Sequence, residues 1–146
     1  MENVINDLNK FLSDLNVFYR KLQNYHWNII GDHFFVLHAK LEEYYDVINN
    51  QIDEIAEHIL MLDKQPLGTM KDYLNNTCIA EANNEKVKDN VVLGNIIKDY
   101  ETLLQKVITI KKNADEQNMY LTSSLMDDYI SDYTKNIWML KHTQAK

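Results

Sequence analysis

Apolar residues recur every three or four positions along most of this chain of 146 residues, and few residues interrupt the pattern. The first run consists of Ile5, Leu8, Leu12, Leu15, Tyr19, Leu22, Tyr25 and Ile29. This spacing is typical of an amphipathic α-helix. The chain has only three glycines and one proline, which favours long helices over short strands joined by turns. We therefore expect an all-α fold.

The periodicity predicts four long helices and one short helix. Gly31 is the expected end of the first helix, and Asp32 is the expected N-cap of the second. The segment 82–89 is predicted to be a loop, and a break is expected at residues 113–115. Two helical hairpins joined by a long link that contains a short helix imply one domain, a four-helix bundle. The predicted helices cover residues 4–30, 33–62, 69–75, 92–112 and 120–141.

Charge and composition argue against several functions. The formal charge is −7 and the chain has no basic N-terminal arm, so we expect no DNA binding. The basic segment at residues 141–146 is short. No apolar run is long enough to span a membrane, and the first residues do not resemble a secretion signal. The single cysteine, Cys78, excludes an intramolecular disulfide, as is usual for a cytoplasmic protein.

Two histidines and three carboxylates form a candidate metal site. They are His26, His38, Glu42, Asp53 and Glu57, and such nitrogen and oxygen donors suit iron, zinc or manganese. A chain reversal near Gly31 would bring His26 and His38 to similar heights on neighbouring helices. On a helical wheel, the three carboxylates share a polar stripe with His38, separate from the apolar face.

The spacing along the second helix separates these ligands. Asp53 follows His38 by fifteen residues, which is roughly 22 Å of helix, whereas bonds from such metals to ligand atoms are only about 2.0–2.2 Å. Either the chain has two sites, or an antiparallel second subunit brings its Asp53 and Glu57 to His26 and His38. No histidine has a glutamate three residues before it, so the Glu-x-x-His signature of a metal site inside the bundle is absent.

Several motifs together resemble the Dps family of miniferritins, and the resemblance covers nearly the whole chain. The motifs are His26-Trp27-Asn28, Gly31, Phe34-Phe35, His38, Glu42, Asp53, Ala56-Glu57, Pro66-x-Gly68-Thr69-Met70 and Ile137-Trp138-Met139.

The resemblance implies a ferritin-like four-helix bundle with a short extra helix between helices 2 and 3, assembled as a hollow homododecamer. It implies a ferroxidase that oxidises Fe(II) with hydrogen peroxide or molecular oxygen, stores ferric oxide and protects against oxidative stress. His26, His38, Asp53 and Glu57 match the family's iron ligands, and Glu42 falls where the family often has an acid. Zinc or manganese would be competing metals.

The resemblance also implies a threefold pore that admits iron. Asp115 keeps one of the acidic pore positions, and Glu116, Asp127 and Asp128 are further candidates, whereas Tyr120 and Ser124 replace acids there. Trp27 is expected to pack beside the ligands or to donate an electron, and Trp138 is expected in the core. His33, His58 and His142 are expected to be structural. Three alternatives stay open: a DNA coat, a shell that sequesters metal without turnover, and a dimeric bundle with a structural zinc.

Overall fold

The computed structural model describes residues 1–145 and shows an all-α bundle of four long helices and one short helix, as predicted from the periodicity. Lys146 lies outside the described residues. The elements are α1 (Glu2–Asn28), β1 (Ile29–Ile30), α2 (Phe34–Met61), α3 (Met70–Asn76), β2 (Val87–Lys88), α4 (Asp89–Glu116) and α5 (Tyr120–Gln144). Within this part of the chain, no helix is long and apolar enough to cross a bilayer.

Aromatic side chains fill the centre of the bundle. Tyr100 lies at the middle of the cluster, with ring centroids 5.0 Å from Phe18, 5.5 Å from Tyr44 and 5.6 Å from Tyr133. Phe11 completes it, 6.5 Å from Tyr133. Such tilted and edge-to-face pairs stabilise a core beyond the area they bury. The interior therefore holds packed rings at the place where a bundle would otherwise hold metal ligands.

A buried carboxylate fixes the long link between α2 and α4 to α1. Asp14 is fully buried and accepts hydrogen bonds from the Thr77 hydroxyl at 2.7 Å and the Cys78 backbone N–H at 2.8 Å. The ammonium of Lys106 on α4 lies 3.6 Å away. A buried carboxylate requires such partners, so Asp14 holds the link across the α1 and α4 surfaces.

The turn between α1 and α2 differs from the prediction. Helix α1 ends at Asn28, and Ile29–Ile30 is extended and pairs in parallel with Val87–Lys88. Part of the predicted loop 82–89 is therefore a strand, and α4 begins at Asp89. Residue 33, not Asp32, precedes the first turn of α2. Hydropathy periods do not reveal a two-residue strand, because it forms only when distant segments meet.

Two further predictions were wrong. Helix α4 continues through residues 113–115 to Glu116, since Ala114 is fully buried against the core and Asn118, with φ of 57°, makes the turn instead. Trp138 is 58% exposed and not in the core. Ile137 and Leu140 supply the inward face of that helical turn, which places Trp138 on the outside.

His58 is structural, as predicted from the sequence, and it should make stability depend on pH. Its ring is buried and shares a 2.8 Å hydrogen bond with the Thr122 hydroxyl. Burial lowers the pKa of His58 below its ordinary value, with a smaller opposing effect from Glu54. The unfolded chain therefore binds a proton near pH 6.5 that the folded chain does not.

The free energy of unfolding should consequently fall as the pH is lowered from about 6.5 towards the folded pKa of His58. His58→Gln keeps a donor for Thr122 but cannot titrate, so it should flatten this slope. Urea unfolding of both proteins between pH 5 and 8, at one subunit concentration, measures the difference. His142→Gln, at an exposed position, is the matched control. If the free energy of unfolding of His58→Gln depends on pH as steeply as that of the parent, other titrating groups cause the effect.

Candidate metal centre

His26 and His38 lie face to face across the α1–α2 turn. Their ring centroids are 3.8 Å apart and the ring planes differ by 11°. Each Nδ1 donates a hydrogen bond to the backbone carbonyl of the other histidine, at 2.6 Å from His26 and 2.7 Å from His38. The chain reversal thus brings the two predicted ligands together as expected.

These reciprocal hydrogen bonds determine which ring nitrogen is available. A carbonyl can only accept, so each Nδ1 carries a hydrogen, and in the neutral ring the lone pair is on Nε2. Metal-binding histidines usually have their other nitrogen engaged in this way, which fixes the tautomer and the ring orientation. The pair is therefore preorganised to present two Nε2 lone pairs.

Three further side chains surround the pair. Glu42 Oε1 lies 3.7 Å from His26 Nε2, so the predicted acid is beside the nitrogen that would bind metal. The ring of Phe34 stacks on His38 at 5.0 Å, and Tyr45 packs edge-on against His26 at 5.5 Å. Phe34 and Tyr45 were not among the site residues predicted from the sequence. The four-residue spacing from Phe34 to His38 was a usable signal, whereas the contact of Tyr45 with α1 depends on how the helices pack.

Asp53 and Glu57 lie together on the exposed face of α2. A hydrogen bond with Asp53, and then the negative charge of Asp53, raise the pKa of Glu57 above its ordinary value. Their spacing of four residues puts both carboxyls on one face of the helix. Within residues 1–145, no three histidine, cysteine, aspartate or glutamate side chains of one chain are grouped closely enough to hold a metal ion. The structure thus brings the histidines to Glu42 but leaves Asp53 and Glu57 apart from them.

The predicted pore residues cluster where α4 ends and α5 begins. Asp115 and Glu116 lie in the last turn of α4, and both are exposed. Asp127 on α5 is also exposed but makes a 3.0 Å ion pair with Lys111, which partly neutralises it. Tyr120 is 71% exposed. Asp128 is exposed on the same helix.

Trp27, the Cys78 thiol and one cavity add no further metal ligand to these side chains. Trp27 is 55% exposed, with the Arg20 guanidinium 6.0 Å from its ring centroid, so it does not pack into the core of its own chain. Burial, and then the charge of Asp14, raise the pKa of the Cys78 thiol, which disfavours the reactive thiolate. A cavity of about 400 Å³ lies between α1, α4 and the link, and no predicted metal ligand lines it.

The fold defines the class as a ferritin-like protein. A family model described as the ferritin-like domain matches residues 5–146. The chain is also similar to "DNA protection during starvation protein 2" of Bacillus anthracis, with 39% identity over 96% of this chain and 95% of that protein.

Solved structures agree with this class. The crystal structure of antigen TpF1 from Treponema pallidum matches with a TM-score of 0.97 and 32% identity, over 99% of this chain and 93% of that one. A Dps protein from Vibrio cholerae, described as a member of a superfamily of ferritin-like diiron-carboxylate proteins, matches with a TM-score of 0.94 and 35% identity, over 99% and 90% of the two chains. The chain belongs to the Dps family of ferritin-like proteins. Membership supports a general role in iron storage and oxidative protection.

Proposed function

We propose that this protein is a ferroxidase that oxidises Fe(II) with hydrogen peroxide, or with molecular oxygen, and stores the ferric oxide inside a hollow homododecamer in the cytoplasm. The observation that carries the proposal is the histidine pair, whose Nδ1 atoms are both occupied and whose Nε2 atoms are both left to bind metal. The family relationship supports iron as the metal.

The separation of the ligands supports a site built from two subunits. His38 lies near the start of α2 with His26 of α1 stacked on it, and Asp53 and Glu57 lie nearer the other end of α2. A twofold axis across this face would run the two α2 helices antiparallel and place each histidine pair beside the partner's carboxylates. Trp27, 55% exposed beside one set of ligands, and Leu60, 53% exposed near the other, are apolar groups that such a contact would cover.

The parallel rings favour two metal positions over one. A metal bound by an imidazole lies close to the plane of that ring, about 2.0–2.1 Å from its nitrogen. The ring planes of His26 and His38 differ by only 11°, and the ring centroids are 3.8 Å apart. An ion that lies in the plane of one ring therefore lies well outside the plane of the other ring. Each imidazole would therefore hold its own ion, and metal pairs in two-metal sites are typically ~3.5–4 Å apart.

Two neighbouring iron positions suit reduction of peroxide without release of a radical. Two ferrous ions give one electron each to the O–O bond, which breaks, and two protons complete two water molecules, so the electrons balance within one site. Asp53, Glu57 and Glu42 would supply negative charge that favours the harder ferric product. The neutral imidazoles would hold iron without adding negative charge, and the few protein ligands would leave positions free for peroxide.

Three alternatives remain as outcomes of experiment. A formal charge of −7 opposes a DNA-coating role. Iron, rather than zinc or manganese, is proposed as the substrate, and a shell that sequesters metal without turnover would bind ferrous iron but not oxidise it. A dimer with a structural zinc would have a native mass far below twelve subunits.

Asp115, Glu116, Asp127 and Asp128 are proposed to line the pore that admits iron.

The proposal is tested by loading the protein with Fe(II) in the absence of oxygen and then adding hydrogen peroxide. The parent should develop ferric absorbance rapidly, and His26→Ala or Asp53→Ala should slow it at least about 100-fold, since even residues behind metal ligands contribute about 10–100-fold. Asp7→Ala, a carboxylate on α1 outside the site, is the control and should retain the parental rate. Unchanged oxidation in both site variants would show the assignment to be wrong.

A further inference from the structure

We propose that Asp89, the first residue of α4, is a positioning residue for the histidine pair, although it does not contact either ring. The inference rests on the proposed function, because it concerns the geometry of the same metal site. Asp89 belongs to the second helical hairpin and is separated by 56 positions from His33, the residue it contacts in the α1–α2 turn.

The Asp89 carboxylate holds the turn by two hydrogen bonds. Its Oδ2 accepts from the backbone N–H of His33 at 3.0 Å and from Nδ1 of the same residue, also at 3.0 Å. Its other oxygen accepts from the Asn90 backbone N–H at 2.8 Å, which fixes the carboxylate at the start of α4. The hydrogen bonds from His33 hold the pKa of Asp89 below its ordinary value, so the stronger, charged acceptor is present at neutral pH.

Gly31 shows how closely the carboxylate sits against the turn. The residue has φ of +131°, a conformation that other residues rarely adopt, and a Cβ built there would lie 2.5 Å from Oδ2 of Asp89. No real Cβ contact is that short. The glycine thus serves two needs at one point: it permits the left-handed backbone, and it makes room for the carboxylate.

The strand pair adds a second attachment beside the first. Ile29 and Ile30 are in register with Val87 and Lys88, the two residues directly before Asp89. Residues 29–33 are therefore tied to residues 87–89 at both ends. These five residues form the covalent link between the helix that carries His26 and the helix that carries His38.

The histidine pair is sensitive to this connection because of how the rings are held. Each ring is fixed by the backbone carbonyl of the other residue, at 2.6 and 2.7 Å. A shift of the end of α1 relative to the start of α2 would therefore move both rings and both Nε2 atoms together. Metal sites tolerate little displacement, since bonds to imidazole are about 2.0–2.1 Å.

Co(II) binding tests this inference with a readout that does not depend on turnover. The visible spectrum of Co(II) reports ligand geometry and a titration reports affinity. Asp89→Ala should weaken Co(II) binding about tenfold, the effect of losing an outer support of a metal ligand, and should change the spectrum of the bound ion. Asp89→Asn keeps an acceptor oxygen for His33 and should recover most of the affinity. Hydrogen exchange of the backbone at residues 31–34 should quicken in Asp89→Ala without any metal.

Asp14→Ala is the matched control for lost stability. It removes a carboxylate that ties distant segments together elsewhere in the bundle, so it should destabilise the protein while leaving the Co(II) affinity and spectrum of the folded protein as in the parent. Only variants whose native mass equals that of the parent are compared. An Asp89→Ala protein of parental mass that binds Co(II) with parental affinity and spectrum would overturn the inference.

The failure of this inference is distinguishable from failure of the proposed function. If His26→Ala and Asp53→Ala reduce Co(II) binding but Asp89→Ala does not, the site stands and only the role of Asp89 is wrong. If neither site variant changes Co(II) binding, the site itself is wrong, and Asp89 positions nothing.

Discussion

Mixing two inactive variants of this chain should restore about a quarter of the parental rate of ferrous oxidation, if each site takes its histidines from one subunit and its carboxylates from the other. The first variant is His26→Ala with His38→Ala, and the second is Asp53→Ala with Glu57→Ala. Each alone lacks half of every site and should be inactive. In a mixed dimer, one of the two sites combines the intact halves and the other combines the altered halves.

The expected fraction follows from random pairing. Equal amounts of the two chains, unfolded together and reassembled, give mixed dimers in about half of the pairs, and each has one intact site of two. The rate is measured as ferric absorbance after anaerobic Fe(II) loading and peroxide addition. Parent carried through the same treatment is the control for recovery. A mixture as inactive as its components would place all four ligands of a site in one chain, which contradicts the dimer-interface proposal.

The sequence predicted the long helices well because long amphipathic runs are governed by local periodicity. The stripe containing Leu41, Tyr44 and Ile48 is buried, and Glu42 and Asp53 are exposed beside it. The reversal that brings His26 to His38 was also predictable, because a short turn between two helices makes them antiparallel neighbours.

What the sequence did not predict depends on contacts between distant segments. The strand pair at Ile29–Ile30 and the contact from Asp89 to His33 both join the turn to residues more than fifty positions away. Asn113 and Asp115 have weak helix propensity, but the helix continues through them because Ala114 is buried against the core. Trp138 was misplaced because large aromatic residues are usually buried, whereas Ile137 and Leu140 already fill the inward positions of that turn.

Replacing Tyr100 with alanine should destabilise the protein by about 3–5 kcal/mol, the usual cost of removing a large buried aromatic ring. Its side chain is 1% exposed and its ring contacts Phe18, Tyr44 and Tyr133, from three other helices. Truncation would leave a cavity that these rings cannot close without leaving their own positions. Urea unfolding at one subunit concentration measures the loss, because assembly contributes to apparent stability.

Tyr100→Phe separates the ring from its hydroxyl. It keeps the packing and removes only a buried hydroxyl, so the loss should be near 1 kcal/mol. Because the centre of the bundle is a core and the proposed metal site lies on its surface, folded Tyr100→Ala should still bind Co(II) with parental stoichiometry. A variant that kept its stability but lost metal would instead place a metal site inside the bundle, where the sequence has no Glu-x-x-His motif. Stability and metal binding should therefore respond to different residues: the first to Tyr100, the second to His26 and Asp53.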